Sequence, residues 1–327
     1  MSEGIARDRR KPVPPFVERT PPQRAATERQ AAFALRRVKS TCAKIASMRI
    51  GLRPSPIAGQ WYEGDRKVLA RTVDGYLDAA QLHAISGQVI GVVAPHAGHR
   101  YSGPVAGYAF AAVRGSAPDV VAVLSPFHNY HHAPLLLAAY EAYETPLGSI
   151  PVDAAAVEAL EAALAAVGGP TLTRISNDPE HSLEIELPFL QRALSSKWSL
   201  LPLMVRAQDA PTCKGLGMAL ATTLRGMKAL LVASTDLSHY HDQQTALALD
   251  RALLAQVEAF DPEPLFDLER SGRGSACGLG ALSSVMWAAR ELGADRVEIL
   301  RHATSGDTTG DYSAVVGYGA AVILKTQ

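Results

Sequence analysis

The sequence of 327 residues is short of several things, and each shortage excludes a class of protein. Its three cysteines, Cys42, Cys213 and Cys277, are too few and too scattered for a disulfide scaffold and read as free thiols. No run approaches the roughly 18 unbroken apolar residues that a membrane span needs. No charged-then-apolar start resembles a secretory signal, so a cytoplasmic chain with no membrane partner is expected. The formal net charge is zero, and nothing marks the folded part as a nucleic-acid binder. Neither Walker spacing nor a GxGxxG loop opening a helix is found, which argues against a nucleotide cofactor. Internal repeats and long linkers after residue 50 are missing as well.

What is there is uneven. Residues 1–50 carry 12 Lys/Arg against 4 Asp/Glu, leaving 20 against 28 for the remainder. That leader, with its "RDRRKPVPPFVERTPPQR", is rich in proline and arginine and poor in apolar residues. A disordered segment over 1–47 is expected, with Met48 as an alternative start. The remaining residues, 48–327, belong to a chain that is 47% hydrophobic, and they suffice for one large core.

Beyond the leader, apolar β-rich segments alternate with segments of helical period, the pattern of an α/β protein. Strands are expected at 87–94, 119–125, 133–140, 199–205, 229–235, 296–300 and 314–324. Helices are expected at 153–167, 182–194, 210–224, 244–260 and 278–293. Most strands are too continuously apolar to have a wet face, so the central sheet is expected to be buried between helices, in a single-domain sandwich.

Histidines gather at strand ends. His96 follows the strand ending "VVAP", His128 lies in "LSPFHNYHH", and Asp236 and His239 lie in "ASTDLSHYH". If these strands are parallel neighbours, the side chains converge on one crevice at the sheet's carboxyl edge. Imidazole and carboxylate at one mouth suit a divalent metal or acid–base chemistry. A lone histidine at a strand end is ordinarily a hydrogen-bonded structural residue; the repetition is what points to a site. His131 and His132 read as solvated loop residues. Cys277, in "GRGSACGLGAL", stands where a glycine-rich loop enters a helix, whose N-terminus would favour the thiolate that binds metal or attacks carbon; a buried packing role is the alternative. Cys213, on a helix of ordinary pattern, reads as structural. His181 and Glu184, three apart, would share a helix face. They serve either as ordinary helix-start chemistry or as residues orienting metal ligands.

Taken together, "AGQWY" (58–62), "APHAG" (94–98), "SPFHN" (125–129), "TPLG" (145–148), "DPEHSLEIELPFL" (178–190), "STDLSH" (234–239) and "ACG" (276–278) resemble the Memo family, called AmmeMemoRadiSam system protein B in many bacteria and archaea. The resemblance implies a fold similar to class III extradiol (LigB-type) dioxygenases. It places metal ligands on His96, His128 and Cys277, with His239 as acid–base residue and Asp236 beside it. His99 stands where the family commonly has tyrosine, and Phe127 where serine is common; an imidazole at 99 would add a nitrogen near the metal. Fe(II) is the favoured ion, with copper or zinc as alternatives. The implied partners are a small-molecule substrate and, by family association, AMMECR1-like and radical SAM proteins. Three functions follow: a metal-dependent, dioxygenase-like redox enzyme; a non-catalytic module that binds a peptide or partner in the same crevice; and a hydrolase using Cys277 as nucleophile with His239 as base, or zinc.

Overall fold

Four of the helices start on aspartate. The residues described, 50–326 of a computed structural model, run in chain order β1 (Ile50–Arg53), α1 (Arg66–Ala79), β2 (Gln88–Ala94), α2 (His99–Ala111), β3 (Val120–Pro126), β4 (Leu135–Ala138), β5 (Tyr140–Thr145), β6 (Gly148–Pro151), α3 (Ala154–Ala166), β7 (Thr173–Ile175), α4 (Leu187–Ala193), β8 (Ser199–Val205), α5 (Ala210–Leu224), β9 (Ala229–Ser234), β10 (His239–His241), α6 (Gln243–Glu258), α7 (Pro264–Arg270), α8 (Leu279–Glu291), β11 (Arg296–Thr304), α9 (Gly306–Thr309) and β12 (Val315–Lys325). Asp65, Asp153, Asp209 and Asp242 cap α1, α3, α5 and α6, each carboxylate accepting backbone N–H groups of the first turn that have no partner inside the helix. The leader, Cys42 and Met48 lie outside the described residues.

The main sheet has the order β10-β12-β2-β9-β3-β8-β4-β7, with β11 also paired to β12. At its centre β2, β9, β3 and β8 are parallel, so their carboxyl ends share one edge. A second, three-stranded sheet has the order β1-β5-β6. Both faces of the main sheet are dry, and alternate residues of each central strand feed opposite cores. Val120, Ala122 and Leu124 of β3 pack with α3, α5, α6 and α8. Val121 and Val123 pack with α1, α2 and α4. This period of two across a doubly buried strand is why the sequence reads as unbroken apolar runs.

Several expectations are corrected. The strand expected at 133–140 is two, because Ala139 turns its N–H to Ile175 C=O (2.8 Å) and Tyr140 then joins β1 in the smaller sheet. The helix expected at 182–194 is a 3₁₀ turn at Glu184–Glu186 followed by α4, whose first turn holds Pro188, a residue that lacks the N–H a helix interior needs. After His96, where no helix was expected, the chain forms helix α2 from His99 onward, with Pro104 inside it. Its glycines serve packing: a Cβ on Gly107 would lie 2.6 Å from Tyr76 C=O on α1, so only glycine admits this approach. The remaining strands and helices expected from the sequence stand within a few residues of their predicted bounds, except that β11 runs on to Thr304. No helix among the described residues is long and apolar enough to cross a membrane.

Candidate metal centre

Three strand ends and one loop supply the site. β2 stops at Ala94 because Pro95 has no N–H to extend the ladder, and His96 follows. β3 stops at Pro126, two residues before His128. β9 leads into Asp236 and then His239, where β10 begins. The fourth contributor is the loop 178–182. It is tied to the end of β3 by Ser182 Oγ–H donating to Pro126 C=O (2.9 Å), and it delivers His181.

One ring nitrogen each of His96, His128 and His181 lies within 4.8 Å of the other two. The His128 and His181 rings stack at 4.8 Å and 15°, and His96 stands edge-on to both. On the outer side Trp61 lies against His181, centroids 4.0 Å apart.

Each imidazole is anchored through Nδ1. Glu180, buried, accepts the His128 N–H (2.6 Å), the His128 Nδ1–H (2.9 Å) and the backbone N–H groups of His181 and Ser182 (3.0 Å each), and it pairs with His181 Nδ1 at 3.2 Å. His96 Nδ1 lies 2.9 Å from Ser234 Oγ, itself 2.6 Å from Ser182 C=O, which only accepts. The serine proton therefore goes to that carbonyl, and His96 Nδ1 is the donor. This turns the three Nε2 atoms toward one another, that of His96 with Cys277 Sγ at 3.1 Å. Carboxylate- or hydroxyl-backed imidazoles of this kind are the usual setting of a metal-binding histidine.

The electrostatics agree. Burial, then the neighbouring His181 and His128, push His96 well below the ordinary imidazole range. Burial takes His181 down to about 4. For His128, burial acts downward, but the hydrogen bond and charge of Glu180 outweigh it and raise the group. Glu180 is correspondingly held low, its burial overcome by the bonds from His128. Beneath Ser234 lies Glu186, 2.8 Å from its hydroxyl and fully buried with no cation, so burial keeps this carboxyl neutral.

Cys277 reaches the same place from the entrance of α8. Its Sγ is 3.1 Å from His96 Nε2 and accepts the Asp236 N–H at 3.3 Å. The approach depends on glycine, since a Cβ at Gly278 would sit 2.4 Å from Ser234 C=O. The expected lowering of this thiol by the helix start is overturned: burial and the Asp236 carboxyl push it up, and the helix begins only at Leu279, beyond Gly278. The imidazole in contact with Sγ is that of His96, not His239. Asp236 accepts the His96 N–H at 2.7 Å and so shapes the His96 turn; burial raises it to about 7 against that bond. His239 donates Nδ1–H to Leu237 C=O (2.8 Å), which leaves Nε2 bare, and burial lowers it so that it is neutral at pH 7.

Two expected orienting residues face elsewhere. Glu184 pairs with Arg53 and accepts from Tyr62 (2.7 Å), locking β1 to the loop 178–184. His99 donates Nε2–H to Ile185 C=O (3.0 Å) and packs on Phe189, with burial lowering it to about 4; it adds no nitrogen to the cluster. His181, for which helix-start chemistry and an orienting role were both open, lies in one cluster with His96 and His128. Glu180 was missed, although it adjoins His181 in "DPEH". His131 and His132 stack on each other outside the cluster, and Cys213 is buried in a core, both as expected.

The cluster opens into a cavity of about 550 Å³ that also takes in Cys277, Asp236, His239, Tyr240 and Glu269. A slightly larger hollow of about 590 Å³, lined by Asp209, Asp261, Glu263 and Asp267, holds no imidazole or thiol. The chemistry lies in the smaller one, since three converging nitrogen donors with anchored rings are what a divalent transition ion takes.

Residues 53–322 match the Memo-like protein family. The chain is 34% identical over 274 residues to a MEMO1 family protein of Nitrosopumilus maritimus, covering 82% of this chain and 98% of that one. It is 34% identical over 276 residues to one from Methanothermobacter thermautotrophicus (82% and 98%) and 32% identical over 283 residues to one from Pyrobaculum aerophilum (84% and 99%).

Proposed function

The chain belongs to the Memo-like protein family, and on that premise we propose that it is a metal-dependent redox enzyme, dioxygenase-like in type, acting on a small molecule in the His96 cavity. The observation that carries the reading is the trio His96, His128 and His181, with ring nitrogens within 4.8 Å and every Nδ1 engaged behind. Iron(II) is the ion we assign, because imidazole donors suit it and three protein donors leave positions free for reactants. Copper and zinc are the competitors. A bound redox ion supplies Lewis acidity and one-electron chemistry.

The protein's own groups do the rest. His239, neutral and with Nε2 bare toward the cavity, accepts a proton from an ionisable hydroxyl of the substrate. The resulting imidazolium is stabilised by the Leu237 carbonyl at Nδ1. Asp236 keeps the His96 turn in place through its backbone bond. Trp61 packs against His181 and helps fix that ring.

The test is metal content of protein purified anaerobically without chelator. The full chain is expected to hold close to one iron, and the His96→Ala, His128→Ala double variant none. Metal retained in the double variant overturns the assignment. A His239→Ala variant is expected to keep its metal and lose about 10²-fold or more in turnover, the scale of a general base.

A further inference from the structure

We infer that Asp250, on α6, is a positioning residue for His239 and acts on it through a single peptide unit; the inference rests on the reading of His239 as proton acceptor given above. The Leu237 C=O and the Ser238 N–H belong to one planar trans peptide, so they point in opposite directions. The C=O accepts the His239 Nδ1–H (2.8 Å), and the N–H donates to Asp250 Oδ1 (3.0 Å). Carboxylate, peptide and imidazole thus form one run of hydrogen bonds. By fixing the peptide plane, Asp250 fixes where the acceptor for Nδ1–H lies, and so which ring nitrogen is left bare. A carboxylate on the N–H also polarises the carbonyl opposite and makes it a stronger acceptor. The imidazolium formed when Nε2 takes a proton is stabilised in this way without a carboxylate entering the cavity.

The surroundings hold this link rigidly. Asp250 is fully buried, and its second oxygen accepts the Nε2–H of His302 on β11 (2.8 Å), so the carboxylate is fixed at both ends. Opposite it, Gly317 of β12 donates N–H to Ser238 C=O and accepts the Leu237 N–H, 2.8 Å each. A Cβ at position 317 would run into the Asp250 carboxylate, so only glycine lets the strand close over it. Tyr240, next after His239, has φ +62°, a conformation uncommon for tyrosine. Such a residue persists where its surroundings over-determine it, and the three bonds to residues 237 and 238 do so here.

Asp250 is also the near negative charge. Burial lowers the proton affinity of His239 and the Leu237 bond raises it; His128 across the cavity lowers it and Asp250 raises it. The other titratable groups around that cavity are His96, His181, Asp236, Glu269, Cys277 and Tyr240, and His302 is the one bonded to Asp250 itself.

The experiment is a side-chain nitrogen–proton correlation spectrum of the metal-free full chain, with the His239 signals identified by their loss in His239→Gln. It reports which ring nitrogen carries the proton and the midpoint of the titration. The neutral native ring is expected to be protonated at Nδ1. Asp250→Asn keeps an oxygen for the Ser238 N–H and removes the charge. Its tautomer is expected to stay and its midpoint to fall by about 0.3 unit or more, a twofold loss of proton affinity. Asp250→Ala removes the acceptor, and a second tautomer with the proton on Nε2 is expected to appear. His302→Gln disturbs the same buried pair but leaves the peptide bond to Asp250 in place, and it is expected to change neither readout. If Asp250→Ala does not fold, the comparison of Asp250→Asn with His302→Gln still decides.

An unchanged midpoint in Asp250→Asn, an equal shift in His302→Gln, or a single Nδ1–H tautomer in folded Asp250→Ala overturns the inference and leaves His239 as proton acceptor intact. A native neutral ring protonated at Nε2 overturns both.

Discussion

At the scale of single residues, Glu180 decides the most. One buried carboxylate receives donors from His128, His181 and Ser182, both side chain and backbone. It therefore sets two ring orientations and the loop that carries one of them. In Glu180→Gln the new amide turns N–H toward groups that are themselves donors. We expect a 10- to 100-fold loss of metal affinity by titration calorimetry, with the far-ultraviolet dichroism unchanged. Proton release follows from the same residue. His128 is raised above 6.5 by Glu180, so at pH 6.5 more than half of it carries a proton that must leave for metal to bind. His96 and His181 are lowered and have none to lose. Metal binding at pH 6.5 is thus expected to release protons, measured in two buffers of different ionisation enthalpy, and clearly fewer in Glu180→Gln. His96 and His128 were legible as site residues because each ends an apolar strand. Glu180 was not, because a glutamate in a loop has no pattern of its own; only the fold shows what it faces.

At the scale of elements, α2 presses on α1 with no room to spare. Gly107→Ala puts a Cβ 2.6 Å from a backbone oxygen, and a cost of about 1–3 kcal/mol is expected from urea unfolding, the range for overpacking. The first residue of α2 adds a pH dependence. Buried His99 has its pKa lowered from 6.5 to about 4, so between those values the unfolded chain binds a proton that the folded chain does not. Stability from this group is complete above pH 6.5 and falls as pH drops toward 4, by up to ~3 kcal/mol. His99→Gln, which can still donate to Ile185 C=O, is expected to lose that part of the slope when unfolding free energies at pH 7 and 4.5 are compared. An equal slope in wild type and variant would refute the assignment. No helix was expected in this region, because glycine and proline normally punctuate helices. Here the glycines serve helix–helix contact, which depends on where Tyr76 lies and is invisible locally.

At the scale of the whole molecule, the centre draws on residues from the ends of β2 and β3 and from the loop after β7, so an ion bound there ties together segments that unfolding would separate. Saturation at 100 times the dissociation constant is expected to add ~2.7 kcal/mol of stability, seen as a raised melting temperature that chelator reverses. What the sequence by itself determined is the layered α/β plan, through apolar runs that no one-sided strand would carry, and the placement of His96, His128 and His239 at the carboxyl edge, through the short segment that follows each strand. The ordered motifs also sufficed for the family. The tertiary structure alone decided which side chains share the centre. Arg53 of β1 donates Nε–H to Asp178 (2.7 Å) and Nη2–H to Glu180 C=O (2.6 Å), across 125 and 127 positions of chain, and so holds the loop that brings Glu180 and His181 to the end of β3. A contact between residues so distant leaves no periodicity or spacing behind. It exists only where segments far apart in the sequence meet in the fold, and that is why the place of His181 beside His96 and His128 was not legible in the sequence.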